Sequence, residues 1–174
     1  ENDNDTIDGG KGDDIVEGGA GNDTVTYTYG EGKDTITDSA GSDRLVIQNF
    51  TGNFTAKAST EVNTLAGGTT FKGFEHYTIV ATGTGANTIK TSSGDDNIDS
   101  GAGNDTIDAG AGNDYVNTGL GADTVVAGLG NDKVSLGDGG ADKADGGDGT
   151  DTVLVDRRST TVGQTFSATG ATAT

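Results

Sequence analysis

Aspartate recurs at fixed intervals along most of this chain, two residues before an apolar side chain each time. The stretch from Ser100 to Asp132 shows the pattern without a gap, in the units SGAGNDTID, AGAGNDYVN, TGLGADTVV and AGLGND. The unit is x-G-x-G-x-D-x-U-x, where U is apolar and is Ile107 in the first copy. Carboxylates in so regular a series can bind cations, provided that the fold brings them together.

A repeat of nine residues predicts stacked coils rather than a conventional globule. The small residues of each unit favour a tight turn, and the β-branched residues that follow favour a short strand with U pointing inward. Two units then make one coil, so that aspartates eighteen residues apart lie above one another. We expect Asp105 to lie above Asp123, and Asp114 above Asp132. Stacked carboxylates repel one another unless a cation neutralises them.

The aspartate position occurs thirteen times, and twelve of the thirteen residues are Asp. A simple preference of Asp for turns would give a scatter of Asp, Asn and Ser instead. Carboxylate and turn carbonyl oxygens suit a hard cation, and Ca²⁺ is the best match. The predicted metal ligands are Asp5, Asp14, Asp23, Asp34, Asp43, Asp96, Asp105, Asp114, Asp123, Asp132, Asp142 and Asp151. Asn87 holds the remaining position without a charge, so its turn is the weakest candidate.

These units resemble the glycine- and aspartate-rich nonapeptide of the RTX (repeats-in-toxin) family. The resemblance implies an all-β fold, a right-handed parallel β-roll or β-helix (solenoid) with several Ca²⁺ ions between stacked turns. It also implies that backbone carbonyls of turn glycines join the aspartates as ligands. The carbonyls carried over in this way are those of Gly10, Gly12, Gly19, Gly21, Gly101, Gly103, Gly110, Gly112, Gly119, Gly121, Gly128 and Gly130.

Composition indicates a chain whose order depends on the cation. Only 30% of the residues are hydrophobic, 32 are Gly, and the formal net charge is −18. Such values approach those of disordered chains, in which burial does not offset chain entropy. The charges sit at fixed repeat positions, so we expect folding with Ca²⁺ and unfolding without it. The absence of Cys leaves no disulfide to replace the metal.

The sequence divides into four segments by the regularity of the repeat. Residues 1–47 form a first array, 48–81 are aromatic and irregular and should join the arrays by longer β rungs, 82–155 form a second array, and 156–174 are a terminal strand and linker. Tyr27 and Thr28 interrupt the first array, which predicts a bulge or a longer turn. The run TTFKGFEHYTIV is typical of one strand.

The residues favour a binding or structural role rather than catalysis. His76 is the single histidine, and no nucleophile elbow or zinc-binding helix motif occurs. The acidic surface argues against nucleic acid, and no apolar run suggests direct membrane insertion. The partners expected are calcium ions and neighbouring domains or copies of a longer parent protein.

Two functions remain open at this stage. The first is a calcium-dependent structural or adhesive module of a large secreted bacterial protein, of the adhesin or surface-layer type. The alternative is a C-terminal folding and secretion appendage of an exported enzyme or toxin. The resemblance implies type I secretion and a location outside the cell or on the bacterial surface.

Overall fold

The computed structural model describes residues 2–155 and 165–167, which form strands and turns without a helix. Most strands have only three residues, and a glycine-containing turn follows most of them. The strands are β1 (Thr6–Asp8), β2 (Ile15–Glu17), β3 (Thr24–Thr28), β4 (Thr35–Thr37), β5 (Arg44–Phe50), β6 (Asn53–Thr55), β7 (Asn63–Thr64), β8 (Thr70–Lys72), β9 (His76–Ala81), β10 (Thr88–Lys90), β11 (Asn97–Asp99), β12 (Thr106–Asp108), β13 (Tyr115–Asn117), β14 (Thr124–Leu129), β15 (Lys133–Leu136), β16 (Lys143–Asp148), β17 (Thr152–Val155) and β18 (Thr165–Ser167).

The strands stack into a parallel β-solenoid of about eight coils, which confirms the predicted fold class. One face is an eight-stranded parallel sheet with the order β1-β3-β5-β9-β11-β13-β15-β17. Thr106 pairs with Thr124 and Ile107 with Val125, so one coil of the regular part spans eighteen residues. The apolar residue of each nonapeptide therefore repeats on the inner side, where Ile107, Val116 and Val125 are fully buried.

The opposite face differs from the single second sheet that the repeat predicts. It is divided into a six-stranded sheet, β18-β16-β14-β12-β10-β6, and a four-stranded sheet, β2-β4-β8-β7, in which β7 and β8 are antiparallel. The division arises in the coil that begins after Asp43, because that coil places both β6 and β8 on this face. Its two ends, Asp43 and Glu75, are 32 residues apart and still meet through a hydrogen bond.

Aromatic side chains fill this enlarged coil. Phe54 and Phe71 are stacked with their ring centroids 5.7 Å apart, and Phe54 meets Tyr77 edge-on at 5.3 Å. Phe50 adds a further edge contact to Phe54 at 6.2 Å. The aromatic core expected for residues 48–81 is therefore present, and it packs against the apolar residues of both flanking regions.

Two local predictions were wrong. Tyr27 and Thr28 form neither a bulge nor a turn, because they extend β3 and pair in register with Ile47 and Gln48 of β5. The run TTFKGFEHYTIV is two strands in different sheets rather than one. Gly73, with φ of 104°, turns the chain between β8 and β9.

The eight-stranded sheet runs from β1 to β17 through all three of the first segments. The division of the sequence at residues 47, 81 and 155 stays a prediction. In the last segment β18 pairs with β16, and the rest of residues 156–174 lies outside the described residues.

Candidate metal centre

Each aspartate of the repeat ends a turn and immediately precedes a strand, and most of these side chains are bonded to the neighbouring coil. Asp123 Oδ1 accepts a hydrogen bond from the backbone N–H of Asp105 at 2.8 Å, and Asp132 Oδ1 accepts one from Asp114 at 2.8 Å. The expected stacking of these two pairs is confirmed. The same bond joins Asp5 to Asp23, Asp23 to Asp43, Asp14 to Asp34, Asp96 to Asp114, Asp123 to Asp142 and Asp132 to Asp151.

The predicted ligands therefore form two columns, one along each edge of the solenoid. The column before the eight-stranded sheet contains Asp5, Asp23, Asp43, Asp96, Asp114, Asp132 and Asp151. The column before the divided face contains Asp14, Asp34, Asp105, Asp123 and Asp142. The fold thus brings together aspartates that are eighteen to twenty residues apart in sequence, and separates those that are nine apart.

The second carboxylate oxygen of most of these residues is buried without a hydrogen-bond partner. Unpartnered Oδ2 atoms are found in Asp14, Asp23, Asp38, Asp96, Asp105, Asp114, Asp123, Asp132 and Asp151. A buried carboxylate oxygen that accepts no hydrogen bond is costly unless a cation lies beside it. The ion pairs in the described part of the chain lie at the surface, between Lys11 and Glu31 and between Lys90 and Asp108. The oxygen-only donor set and its unpartnered atoms fit Ca²⁺.

Burial makes the charged form of these carboxylates unfavourable in the absence of a cation. The pKa of Asp114 is raised to about 7, chiefly by burial and in addition by the neighbouring carboxylates of Asp96 and Asp132, against the hydrogen bond from the Asp96 backbone. Burial likewise raises the pKa of Asp96 to about 7 and that of Asp123 to about 6. A divalent cation would reverse this balance by favouring the ionised form.

The twelve turn glycines all have positive φ values, and most of those in the second array pack directly on the backbone of the coil below. A Cβ at Gly121 would collide with the carbonyl oxygen of Gly103, and a Cβ at Gly119 with that of Gly101. The Gly101 carbonyl also accepts a hydrogen bond from the backbone N–H of Leu120 at 2.9 Å. Each carbonyl oxygen has two lone pairs, so this bond leaves one for a cation. The role of the glycine carbonyls as calcium ligands stays a prediction.

Asn87 shows how the ladder works without a charge. Its Oδ1 accepts a hydrogen bond from Gly52 N at 2.7 Å, as the aspartate Oδ1 atoms do elsewhere. Its Nδ2 donates to the Ser100 carbonyl at 3.1 Å, where an aspartate would present an oxygen. This amide satisfies both of its ends within the protein, so the Asn87 position has no demand for a cation.

Three residues of this arrangement were not predicted from the sequence. Glu75 precedes β9 as each aspartate precedes its strand, and its Oε2 accepts a hydrogen bond from Asp43 N at 3.1 Å. Thr69 holds the equivalent place before β8, and its Oγ1 accepts one from Asp34 N at 3.1 Å. The position of Glu75 before HYTIV was a usable signal, whereas the place of Thr69 follows only from the enlarged coil. Asp38 is the third residue, a buried carboxylate at the start of a turn.

His76 and Arg44 lie where the regular aspartate series is interrupted. His76 Nε2 is 2.8 Å from Ser42 Oγ, and its Nδ1 is 3.2 Å from the Asp95 carbonyl oxygen. Arg44 Nη2 donates to the same carbonyl at 2.9 Å. The side chains of His76 and Arg44 therefore both join neighbouring coils at this point.

A solenoid with glycine turns, stacked aspartates and unpartnered carboxylate oxygens defines a calcium-binding repeat protein. The RTX calcium-binding nonapeptide repeat matches the chain in four copies, at residues 1–26, 28–46, 81–116 and 101–134. These matches cover more than half of the chain, which belongs to the RTX repeat family, and the repeats of this family bind calcium. No curated protein matches the chain significantly. The described residues include no helix long and apolar enough to cross a membrane.

Proposed function

We propose that this chain is a calcium-dependent structural or adhesive module of a large secreted bacterial RTX protein. The observation that supports it is the set of buried Oδ2 atoms without partners, which repeat along both edges of the solenoid. Without cations these atoms oppose folding, and with Ca²⁺ they join successive coils. The twelve predicted aspartates would supply the carboxylate ligands, together with the turn carbonyls.

The dependence on calcium suits a protein that crosses a membrane unfolded and folds outside the cell. An extracellular Ca²⁺ module binds with Kd of roughly 10⁻⁴–10⁻³ M, so its sites are empty at cytosolic Ca²⁺ and filled outside. We accordingly propose a secreted or cell-surface location and export by a type I system. We propose no catalytic role for His76. Its contact with Ser42 is exposed to solvent and joins two coils.

We propose that the ends of the solenoid contact neighbouring domains or further copies of the parent protein. Ile7 of β1 and Val153 of β17 are only partly buried, whereas Val25 and Val134 in the same sheet are fully buried. Among the described strands, β1 and β17 are the outermost of the eight-stranded sheet, and each pairs with a neighbour on one side. A further coil or a capping domain would cover these residues and edges.

A calcium titration followed by circular dichroism and small-angle X-ray scattering tests the proposal. The chain should be expanded in excess chelator and should become a compact β structure as Ca²⁺ is added, whereas Mg²⁺ at the same concentration should be much less effective. Complete folding in chelator would overturn calcium-dependent folding.

The alternative, an appendage for folding and secretion, shares this calcium dependence. It predicts that the chain, fused after an unrelated passenger, supports export of that passenger through a type I system. The structural or adhesive proposal predicts instead that the calcium-loaded chain associates with copies of itself or with bacterial surfaces, which light scattering and cell-binding assays would detect.

A further inference from the structure

In five consecutive units of the regular repeat, the first turn position is buried beside the aspartate ladder and uncharged. It holds Thr91, Ser100, Ala109, Thr118 and Ala127. The hydroxyl groups among them can bond to the protein itself. Ser100 Oγ, for example, donates to the Thr118 carbonyl at 3.0 Å. A side chain placed here therefore contacts the metal-binding edge from within.

Asp38 occupies this position in the first array, and it places a carboxylate there instead of an uncharged side chain. Its side chain is 8% exposed. Its Oδ1 accepts a hydrogen bond from Ser39 N at 2.6 Å, and its Oδ2 has no partner. Carboxylate oxygens of Asp23, Asp38 and Asp43 lie within 4.8 Å of one another, and all three residues are buried.

Gly18 shows that the unpartnered oxygens of this cluster converge on one space. A Cβ built on Gly18 would lie 2.8 Å from Asp23 Oδ2 and would collide with Asp38 Oδ2. Both atoms lack hydrogen-bond partners, and Asp23 is 1% exposed. The missing side chain of Gly18 thus leaves a small cradle with two unsatisfied carboxylate oxygens directed into it.

The cluster is also accessible to ions from solvent. A cleft of about 470 Å³ lies beside it, and its lining includes Asp38, Asp43, Glu75, Ser59, Thr60 and Lys72. Ca²⁺ takes six to eight oxygen ligands, often including water. The cleft provides both a path for the ion and room for such waters.

We propose that Asp23, Asp38 and Asp43 form a three-carboxylate calcium site, different in its ligands from the regular turns, and that this site binds first and most tightly. The inference rests on the proposed calcium-dependent function. Calcium affinity in proteins rises with the number of charged ligands and the rigidity of the site. Here a third carboxylate replaces the neutral residue of the regular turns, and the coils hold it in place. The site would therefore begin calcium-dependent folding at the junction with the aromatic coil.

Calorimetric titration of calcium into the metal-free chain, with competition by a chelating dye, tests the site. Asp38→Asn keeps the size of the side chain and removes its charge. We expect the tightest binding class to weaken by ~10-fold or more and the weaker classes to remain. Asp8→Asn is the matched control, because Asp8 is an exposed aspartate of the same array whose Oδ1 bonds only to Gly10 N nearby. It should leave every class unchanged.

Gly18→Ala supplies a second variant that alters no carboxylate. Gly18 has no positive φ, so alanine is compatible with its backbone, but the added Cβ would occupy the cradle. It should weaken the same binding class as Asp38→Asn. If Asp38→Asn does not fold in saturating calcium, Asp38→Ser, with the residue found at Ser100, replaces it in the titration.

Two results separate the proposals. Suppose that the tightest calcium-binding class is unchanged in both Asp38→Asn and Gly18→Ala and that folding still depends on calcium. This result would overturn the three-carboxylate site alone. A wild-type chain that folds fully in chelator would overturn the proposed function itself.

Discussion

Most aspartates of the ladder use their two oxygens differently. In Asp105 and Asp114, for example, Oδ1 accepts a backbone hydrogen bond from the neighbouring coil and Oδ2 is buried and unpartnered. The first oxygen therefore sets the register of the coils, while the second creates the demand for a cation. Asn87 keeps the first function and replaces the second with an amide donor.

Substitution of Asp114 should separate these two functions. Asp114→Asn removes the charge and keeps the acceptor for Asp96 N, whereas Asp114→Ala removes both. We expect both to raise the calcium concentration at the folding midpoint. Asp114→Ala should cost a further 1–3 kcal/mol, about the cost of a buried N–H left without an acceptor. Urea unfolding in saturating calcium measures the difference.

Asp99→Asn provides the control, because Asp99 lies in the same part of the solenoid but on the outer side of β11. It should change neither the midpoint nor the stability appreciably. Equal behaviour of Asp114→Asn and the unmodified chain would contradict the role of the charge.

The carboxylates also predict a pH dependence for the calcium-free chain. Burial raises the pKa of Asp96 and Asp114 to about 7 and that of Asp123 to about 6, against about 3.9 in an unfolded chain. A raised pKa in the folded state means that stability is fully present below the unfolded pKa and is lost as the pH rises through 6 to 7. Protein dialysed free of calcium should therefore gain β structure between pH 8 and pH 5, as measured by circular dichroism. Loss of β signal over this range would contradict the account.

At the scale of the element, the turns depend on glycine for two separable reasons. Gly121 has φ of 140°, and a Cβ there would collide with the Gly103 carbonyl. Gly10 has φ of 79° with open space around it, and Gly67 has neither feature. Three alanine substitutions therefore form a graded series within one chain.

We expect Gly67→Ala to be neutral or slightly stabilising, Gly10→Ala to cost about 1–2 kcal/mol through its backbone conformation, and Gly121→Ala to cost more than Gly10→Ala. Urea unfolding in saturating calcium measures all three. A cost for Gly121→Ala no larger than that for Gly10→Ala would show that close packing of the turns is unimportant.

The aromatic coil should contribute stability that does not depend on a metal ligand. Phe54 contacts Phe50, Phe71 and Tyr77, so Phe54→Ala should cost about 3–5 kcal/mol. Ile15→Ala is the control, because Ile15 is 81% exposed and should be nearly neutral. Thermal unfolding in calcium provides the comparison, and similar midpoints for the two variants would contradict a central role for this cluster.

The nonapeptide pattern was sufficient to predict the strands, the inward residues and the stacking of the aspartates, because one short unit determines all three. The wrong local predictions fall where the sequence departs from this unit. Tyr27 and Thr28 extend a strand because Tyr27 is buried and pairs with Ile47, a contact that no local pattern reveals. The cluster at Asp38 requires residues from successive coils, so it becomes visible only when the coils are stacked.

Across the whole molecule, we expect most of the calcium-dependent stability to come from many weak sites of the regular turns. A site of Kd ~10⁻⁴ M at ~1 mM Ca²⁺ contributes about 1.4 kcal/mol by mass action. Ten such sites would give on the order of 14 kcal/mol, comparable with the stability of a typical domain. We expect a chain with formal net charge −18 and 30% hydrophobic residues to depend on that contribution. Coils interact chiefly with their neighbours, so the ends should lose calcium before the middle.

Anomalous diffraction from crystals grown in calcium would show whether calcium occupies the space beside the unpartnered Oδ2 atoms. We expect anomalous peaks between successive coils beside Asp105 and Asp123, and beside Asp114 and Asp132, with no peak beside the Asn87 amide. A folded chain whose turns contain only water at these positions would contradict this expectation.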